Sequence, residues 1–266
     1  MNYPIPHWTV SPTTQVVAGV VFGVFLIGGL AYAAWMARQE RKAYPIIVMV
    51  GSGLMCFGEP FVDLMGQCMF PDVEVAPYVT AFGRVIPLYM APVYSFYFGL
   101  VVLAVVRGLQ RGIDMRRWWQ LSACVAVIAI VVDETAIHFD LWRYFGENQP
   151  FRVINMPLWW AFGNTAPVLV VGVVLHVLLR RRILSGVSTL ALVILVPTGA
   201  MGFHLIAAFP IYVALSASSS VLVTNLAQLL TIALAVTIVG IAGKLTIGAS
   251  TRAEPAPAPA TAEVRG

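Results

Sequence analysis

Residues 15–37 read QVVAGVVFGVFLIGGLAYAAWMA, a run with no charged side chain. A helix of that length, at ~1.5 Å per residue, crosses the ~30 Å hydrocarbon layer of a bilayer. The apolar residues are continuous rather than alternating, which argues against a barrel strand. Lipid offers no partner to open backbone groups, so the run must be helical. Six more runs of similar length follow, near 45–66, 86–106, 118–137, 157–179, 187–208 and 219–242. The pattern predicts an all-α, polytopic membrane protein. A short segment, 1–14, precedes a seven-helix domain over 15–245, and a tail over 246–266 follows it.

The composition agrees with this reading. The 266-residue chain is 59% hydrophobic and only 11% charged, against roughly a quarter charged in soluble domains. Its net charge of +4 would suit a nucleic-acid partner. The basic residues, however, lie in short loops between apolar runs, so the expected partner is the lipid bilayer and not nucleic acid. Cys56, Cys68 and Cys124 form an odd set without CxxC spacing, which implies no disulfide framework and no zinc ribbon. Cys56 and Cys124 fall inside apolar runs and are expected to pack as small hydrophobes. The first residues lack a basic region, so the first run is expected to stay as an anchor. The Pro–Ala alternation after Ser250 predicts a disordered, partly extended tail.

Lysine and arginine set the orientation. Arg38, Arg41 and Lys42 follow the first run, and Arg107, Arg111, Arg116 and Arg117 follow the third. Arg180, Arg181 and Arg182 follow the fifth, and Lys244, Arg252 and Arg265 end the chain. Thirteen of 16 basic residues thus share one side, leaving Arg84, Arg143 and Arg152 on the other. The expected topology has the N-terminus outside and the C-terminus cytoplasmic, in the plasma membrane.

The acids divide the opposite way: eight of 12 fall on the expected outer side. Carboxylates at bilayer depth are expensive and mark functional candidates. Glu59 and Asp63 are four residues apart and share a helix face, where like charges repel. Such a pair shares a proton or holds a cation, which suits a general acid. Pro60 between them weakens the helix and frees a carbonyl. Asp133 and Glu134 close the fourth run, with His138 one turn on, where a carboxylate can orient the imidazole. The bland alternative for each is a polar rim where a helix leaves the membrane.

Aromatic and polar residues surround these acids. Trp142 lies in the next loop, and Trp159 and Trp160 open the fifth run ahead of Asn164, an amide that must find a partner at that depth. The tryptophans read either as an interfacial belt or as walls of a cavity whose faces stabilise cations. Arg84 is a rare outer cation, suited to pairing with Asp63 or Asp133 or to an anionic substrate group. Tyr89 and Tyr94 bring hydroxyls from the third run. His204 is alone on an apolar helix.

In Gly58-Glu59-Pro60-Phe61-Val62-Asp63-Leu64-Met65-Gly66-Gln67-Cys68, in Phe82-Gly83-Arg84-Val85-Ile86-Pro87 and in Trp159-Trp160-Ala161-Phe162-Gly163-Asn164, the chain resembles the AveC-like spirocyclase family of actinobacteria. The resemblance covers roughly the second to fifth runs. It implies a membrane enzyme of secondary metabolism that closes a dihydroxyketone into a spiroketal by acid catalysis, in some cases with dehydration. That chemistry requires a proton donor, a held hydroxyl and loss of water, and no metal or other cofactor. The substrate would be a hydrophobic small molecule, a polyketide or a terpenoid.

Three other classes match the same residues. An integral-membrane terpene cyclase also uses embedded carboxylates and aromatic walls. A metal-dependent seven-span hydrolase would take Glu59, Asp63, His138 and His204 as ligands, though the chain has no HxxxH. A receptor or transporter would spread its acids through the bilayer depth, whereas these cluster at one end. The charge bias itself is testable: green fluorescent protein fused after Lys244 should fluoresce in cells, and alkaline phosphatase fused at the same position should be inactive. The reverse result overturns the assigned orientation.

Overall fold

The computed structural model describes residues 6–72 and 77–250 of the chain. Among them, seven helical segments are long and apolar enough to cross a membrane. The fold is a polytopic helical bundle with no closed sheet.

Each helix begins and ends for an identifiable local reason. Helix α1 (Pro12–Glu40) starts with Pro12 in its first turn and with the Ser11 hydroxyl accepting from the Thr14 amide, and it ends at Arg41 in the left-handed conformation. The second span is composite: α2 (Tyr44–Gly53) runs through a 3₁₀ stretch, Leu54–Gly58, into α3 (Glu59–Gly66). Pro60 has no amide to donate to the preceding turn, which accounts for tighter 3₁₀ winding immediately before it. Glycines let this span approach its neighbours. A Cβ on Gly51 would lie 2.8 Å from the Leu192 carbonyl oxygen, and one on Gly53 would lie 2.5 Å from Ser95 Oγ.

Helix α4 (Met90–Gln110) is followed by α5 (Met115–His138), which is capped by the Asp114 carboxylate accepting from the Arg117 amide. Helix α6 (Leu158–Arg180), like α4, is buried over most of its length. A second 3₁₀ turn, Gly186–Ala191, leads into α7 (Leu192–Ala217), and α8 (Val221–Ser250) completes the bundle. Helices α1, α5 and α7 leave most of their surface outside the core, whereas α2–α3, α4 and α6 form it.

The predicted spans hold, with shifts at their ends. The third begins at Met90 rather than 86, because Arg84–Pro87 is instead strand β3, paired antiparallel with β2 (Pro77–Ala81). Phe82 and Gly83 both have positive φ (53° and 71°), the turn geometry that matches strand twist. A second two-stranded ladder joins β1 (Cys68–Met69) to β4 (Arg143–Tyr144). The sixth span runs nine residues beyond its expected end, to Ala217, and α8 extends to Ser250, into what the composition assigned to the tail. The rest of the expected tail, 251–266, lies outside the described residues. Cys56 is buried as expected, but Cys124 is exposed on the outer face of α5.

The loop between α5 and α6 folds back over the bundle's acid-rich end. Asn148 Nδ2 donates to the Leu215 and Ser218 carbonyls, and Gln149 Nε2 donates to the Phe145 carbonyl at 2.9 Å. On α8, Gln228 Oε1 accepts from the Trp159 amide and Asn225 Oδ1 accepts from the Phe151 amide. These bonds fix where the aromatic start of α6 stands.

At the basic end, Trp118 is fully buried and its Nε1 donates to the Val239 carbonyl, leaving no room on α8. A Cβ at Gly243 would lie 2.5 Å from that nitrogen. Gly243→Val should therefore destabilise the bundle by ~1–3 kcal/mol, read as a lower melting midpoint in heated size-exclusion profiles. Gly19→Ala, where nothing lies within 4 Å, should leave the midpoint unchanged or higher.

Candidate functional site

Separate helices bring acids together at one end of the bundle. Glu59 opens α3 and Asp63 follows one turn later; both are buried, as is Asp133 near the end of α5. Glu59 and Asp133 line a cavity of ≈60 Å³ at that end of the bundle. Tyr94 and Tyr97 come to it from α4, Trp160 and Asn164 from α6, and His204 from α7, while Cys68, Trp142 and Tyr144 close it from the loops. Spans two to six thus converge their polar residues on one chamber.

The two lining carboxyl groups have different surroundings. Asp133 Oδ1 accepts from Trp142 Nε1 at 2.9 Å and from the Tyr144 hydroxyl at 2.8 Å. Burial, then the Asp133 charge, pushes the Tyr144 phenol well above its ordinary value, so it remains a donor. Among the described residues no donor reaches Glu59, and the amide of Asn164 also faces the cavity without a hydrogen-bond partner. Burial and the neighbouring acids push the Cys68 thiol well up, which keeps it a weakly polar part of the wall.

Asp63 lies behind this wall. Both its oxygens are buried without a nitrogen or oxygen donor, and its neighbours are the Cys68 thiol and the Arg84 guanidinium. Arg84 is itself buried: Nη1 donates to the Phe82 carbonyl at 3.4 Å, and Nε and Nη2 have no partner. Burial lowers its pKa and the Asp63 charge opposes that. Among the described residues no ion pair joins Arg84 to Asp63 or Asp133, and Arg84 does not line the cavity.

His204 is held at a defined angle. Its Nε2 lies 2.7 Å from the Tyr212 hydroxyl, two turns along α7, and its ring stands nearly perpendicular to Trp160 (85°). Its other edge faces the Gly163 carbonyl, which Pro167, four residues on, cannot engage. Trp159 packs against Trp160, His204 and Tyr212 but stays behind the lining.

Two expected catalytic residues stand elsewhere. Glu134 points away from Asp133 and clasps the next loop, accepting from the amides of Ile154, Asn155 and Met156 and from Asn155 Nδ2. These donors lie beside the helix end, so they capture the carboxylate. His138 is exposed, stacks edge-on against Phe139, and among the described residues bonds to neither acid. One helical step from Asp133 turns Glu134 by ~100°, and His138 follows Glu134's face. Tyr89 donates to the Leu141 carbonyl at 2.9 Å, a loop tie outside the lining. The grouping of Glu59, Asp63, His138 and His204 does not form, and among the described residues no three His, Cys, Asp or Glu make a metal-ligand set.

Sequence reasoning passed over Cys68, Tyr97, Tyr144 and Tyr212. A signal existed for Tyr212, eight residues from His204 and therefore on its face. Cys68, Phe70 and Tyr144 are brought in by the β1–β4 ladder, which no local pattern announces.

The space itself is small. At ~15 Å³ per water, about four waters would fill it. Three lining residues are methionines, Met55, Met90 and Met201, whose unbranched side chains re-pack easily. No protein-family model, curated protein or solved structure matches the chain. What these features define is a polytopic helical bundle with a carboxyl-lined chamber at one end.

The Glu134 clasp gives a direct test. Glu134→Ala removes several charge-assisted bonds worth about 1.5–3 kcal/mol each. Hydrogen exchange at the amides of Ile154, Asn155 and Met156 should rise at least tenfold, while His138→Ala leaves it unchanged.

Proposed function

We propose that the chain is a membrane-embedded, acid-catalysed cyclase acting on a hydrophobic polyketide-like or terpenoid small molecule, set in the plasma membrane with the chamber at the outer side. The observation that carries this reading is the meeting of Glu59 and Asp133, from different helices, on one chamber walled largely by aromatic rings. Two donors on Asp133 Oδ1 favour its carboxylate as a proton acceptor. Glu59, with no donor, is suited to carry the proton.

For a dihydroxyketone the steps balance as follows. One substrate hydroxyl adds to the carbonyl to give a hemiketal. Glu59 protonates the new hydroxyl, the C–O bond breaks, and water leaves an oxocarbenium ion. The second hydroxyl attacks that carbon and passes its proton to Asp133. A proton then returns to Glu59, and the net change is loss of one water. The faces of Tyr94, Tyr97 and Trp160 stabilise the positive intermediate through the ring quadrupole. The Asn164 amide is free to hold a substrate oxygen. Holding the hydroxyl near the carbon supplies the remaining advantage. This is the spiroketal closure implied by the sequence resemblance, and the residues that carry it stand independently of that resemblance.

The same aromatic wall favours a second substrate class, polyprenyl epoxides or alkenes, in which Glu59 would protonate the epoxide oxygen or the double bond. Purified protein in lipid nanodiscs should convert either linear dihydroxyketones or polyprenyl epoxides, and product masses distinguish them: loss of water for the first, no mass change for the second. Glu59→Gln and Asp133→Asn should each lower turnover at least 100-fold while the protein still elutes as an intact bundle. Full activity in both variants overturns acid catalysis by this chamber.

A further inference from the structure

The chamber is too small for the substrates of such a reaction, since drug-sized ligand pockets hold roughly 300–1,000 Å³. The missing room lies next door. An apolar groove of ≈420 Å³ opens on the outside of the bundle between α5, α6 and α8. It exists because Ala123, Ala126, Ala166 and Ala235 stand where larger side chains would close the seam. Its two hydroxyl-bearing side chains are already satisfied: Ser122 donates to the Trp118 carbonyl and Thr165 to the Ala161 carbonyl. Apart from the Trp119 indole at one end, the groove therefore offers a ligand hydrocarbon contact.

The two spaces are one residue apart along both helices. Ala129 faces the chamber and Ile130 the groove, and Asn164 faces the chamber and Thr165 the groove. Tyr97 stands in the partition, lining the chamber while its hydroxyl donates to the Val125 carbonyl at 3.4 Å and meets the Thr165 side chain. A bond that long is weak, so the ring is held in the partition chiefly by its packing, edge-on against Phe98. Along α5 the groove runs from Trp119 to Ile130, and its upper end lies one turn from Asp133.

We propose that this groove receives the hydrocarbon tail of an amphiphilic substrate whose short polar head reaches Glu59 and Asp133 past Tyr97. This rests on the acid-catalysis reading and narrows it: the substrate is a linear chain with one reactive polar end. The eleven helical steps from Trp119 to Ile130 measure about 16 Å, the span of roughly a dozen extended carbons. The chain arrives sideways from the bilayer, so no aqueous route is needed.

The test is photolabelling in zwitterionic phospholipid nanodiscs, with a linear hydroxyketone of about fifteen carbons carrying a diazirine in mid-tail. Peptide mapping should place the label on residues 119–130 of α5 and 158–166 of α6. Ala126→Trp and Val236→Trp fill the groove from different helices at partly exposed positions, and each should reduce that label at least fivefold. Glu59→Gln should label like the unaltered protein. Groove labelling without any turnover would uphold the tail site and remove acid catalysis alone. Label spread evenly over the lipid-facing surfaces of α1 and α7, or groove label unchanged by both tryptophans, means that the groove holds only bilayer lipid and overturns the proposal.

Discussion

The architecture turns on the cost of burying carboxyl groups. Glu59, Asp63 and Asp133 are all withdrawn from solvent in a bundle whose walls are hydrocarbon and aromatic rings. An uncompensated charge there costs several kcal/mol, so three such groups in one region impose heavy demands on everything around them. The compensation is uneven. Asp133 is held by two donors from the α5–α6 loop, Asp63 has a thiol and a nearby guanidinium that does not close on it, and Glu59 has an accessible cavity edge and nothing else. Sites that hold titratable groups in unlike surroundings are where acid and base roles separate. A scaffold that needed only stability would have gained from apolar residues in all three places.

Those demands explain the loop's elaborate ties. Trp142 and Tyr144 must arrive at Asp133 with their N–H and O–H correctly aimed, and they belong to a segment outside the spans. Glu134, Asn148, Gln149, Asn225 and Gln228 hold that segment against α3, α7 and α8. The polar residues around the chamber thus form two groups: those that face the space, and those that keep the loop seated. Glu134 belongs to the second, although its neighbour belongs to the first.

The sequence carried the fold well because its strongest signal, continuous apolar runs of bilayer length, has a single structural outcome in lipid. It carried the chamber in part. Glu59, Asp133, Trp160, Asn164, Tyr94, Trp142 and His204 were all singled out by polarity or ring chemistry at depth, and all line the space. The candidates that stand off the chamber do so for different reasons. Glu134 and His138 lie on a face of α5 turned away from that of Asp133, whereas Arg84 and Tyr89 stand where a strand or helix meets a loop, and there the loop's path decides what a side chain meets. The end of β3 was absorbed into the third run, since Ile86 is as apolar as the helix that follows. Contacts between distant segments, such as Cys68 with Tyr144, have no local spelling.

The methionines of the chamber have an evolutionary consequence. The branched and ring side chains of the wall change its shape only when the backbone yields, whereas the three thioethers among them let a single codon at Met55, Met90 or Met201 recontour part of it without replacing the acids or their donors. Descendants of such a scaffold can diverge in the molecules they accept while inheriting one proton-handling core, so selectivity and chemistry are free to drift apart.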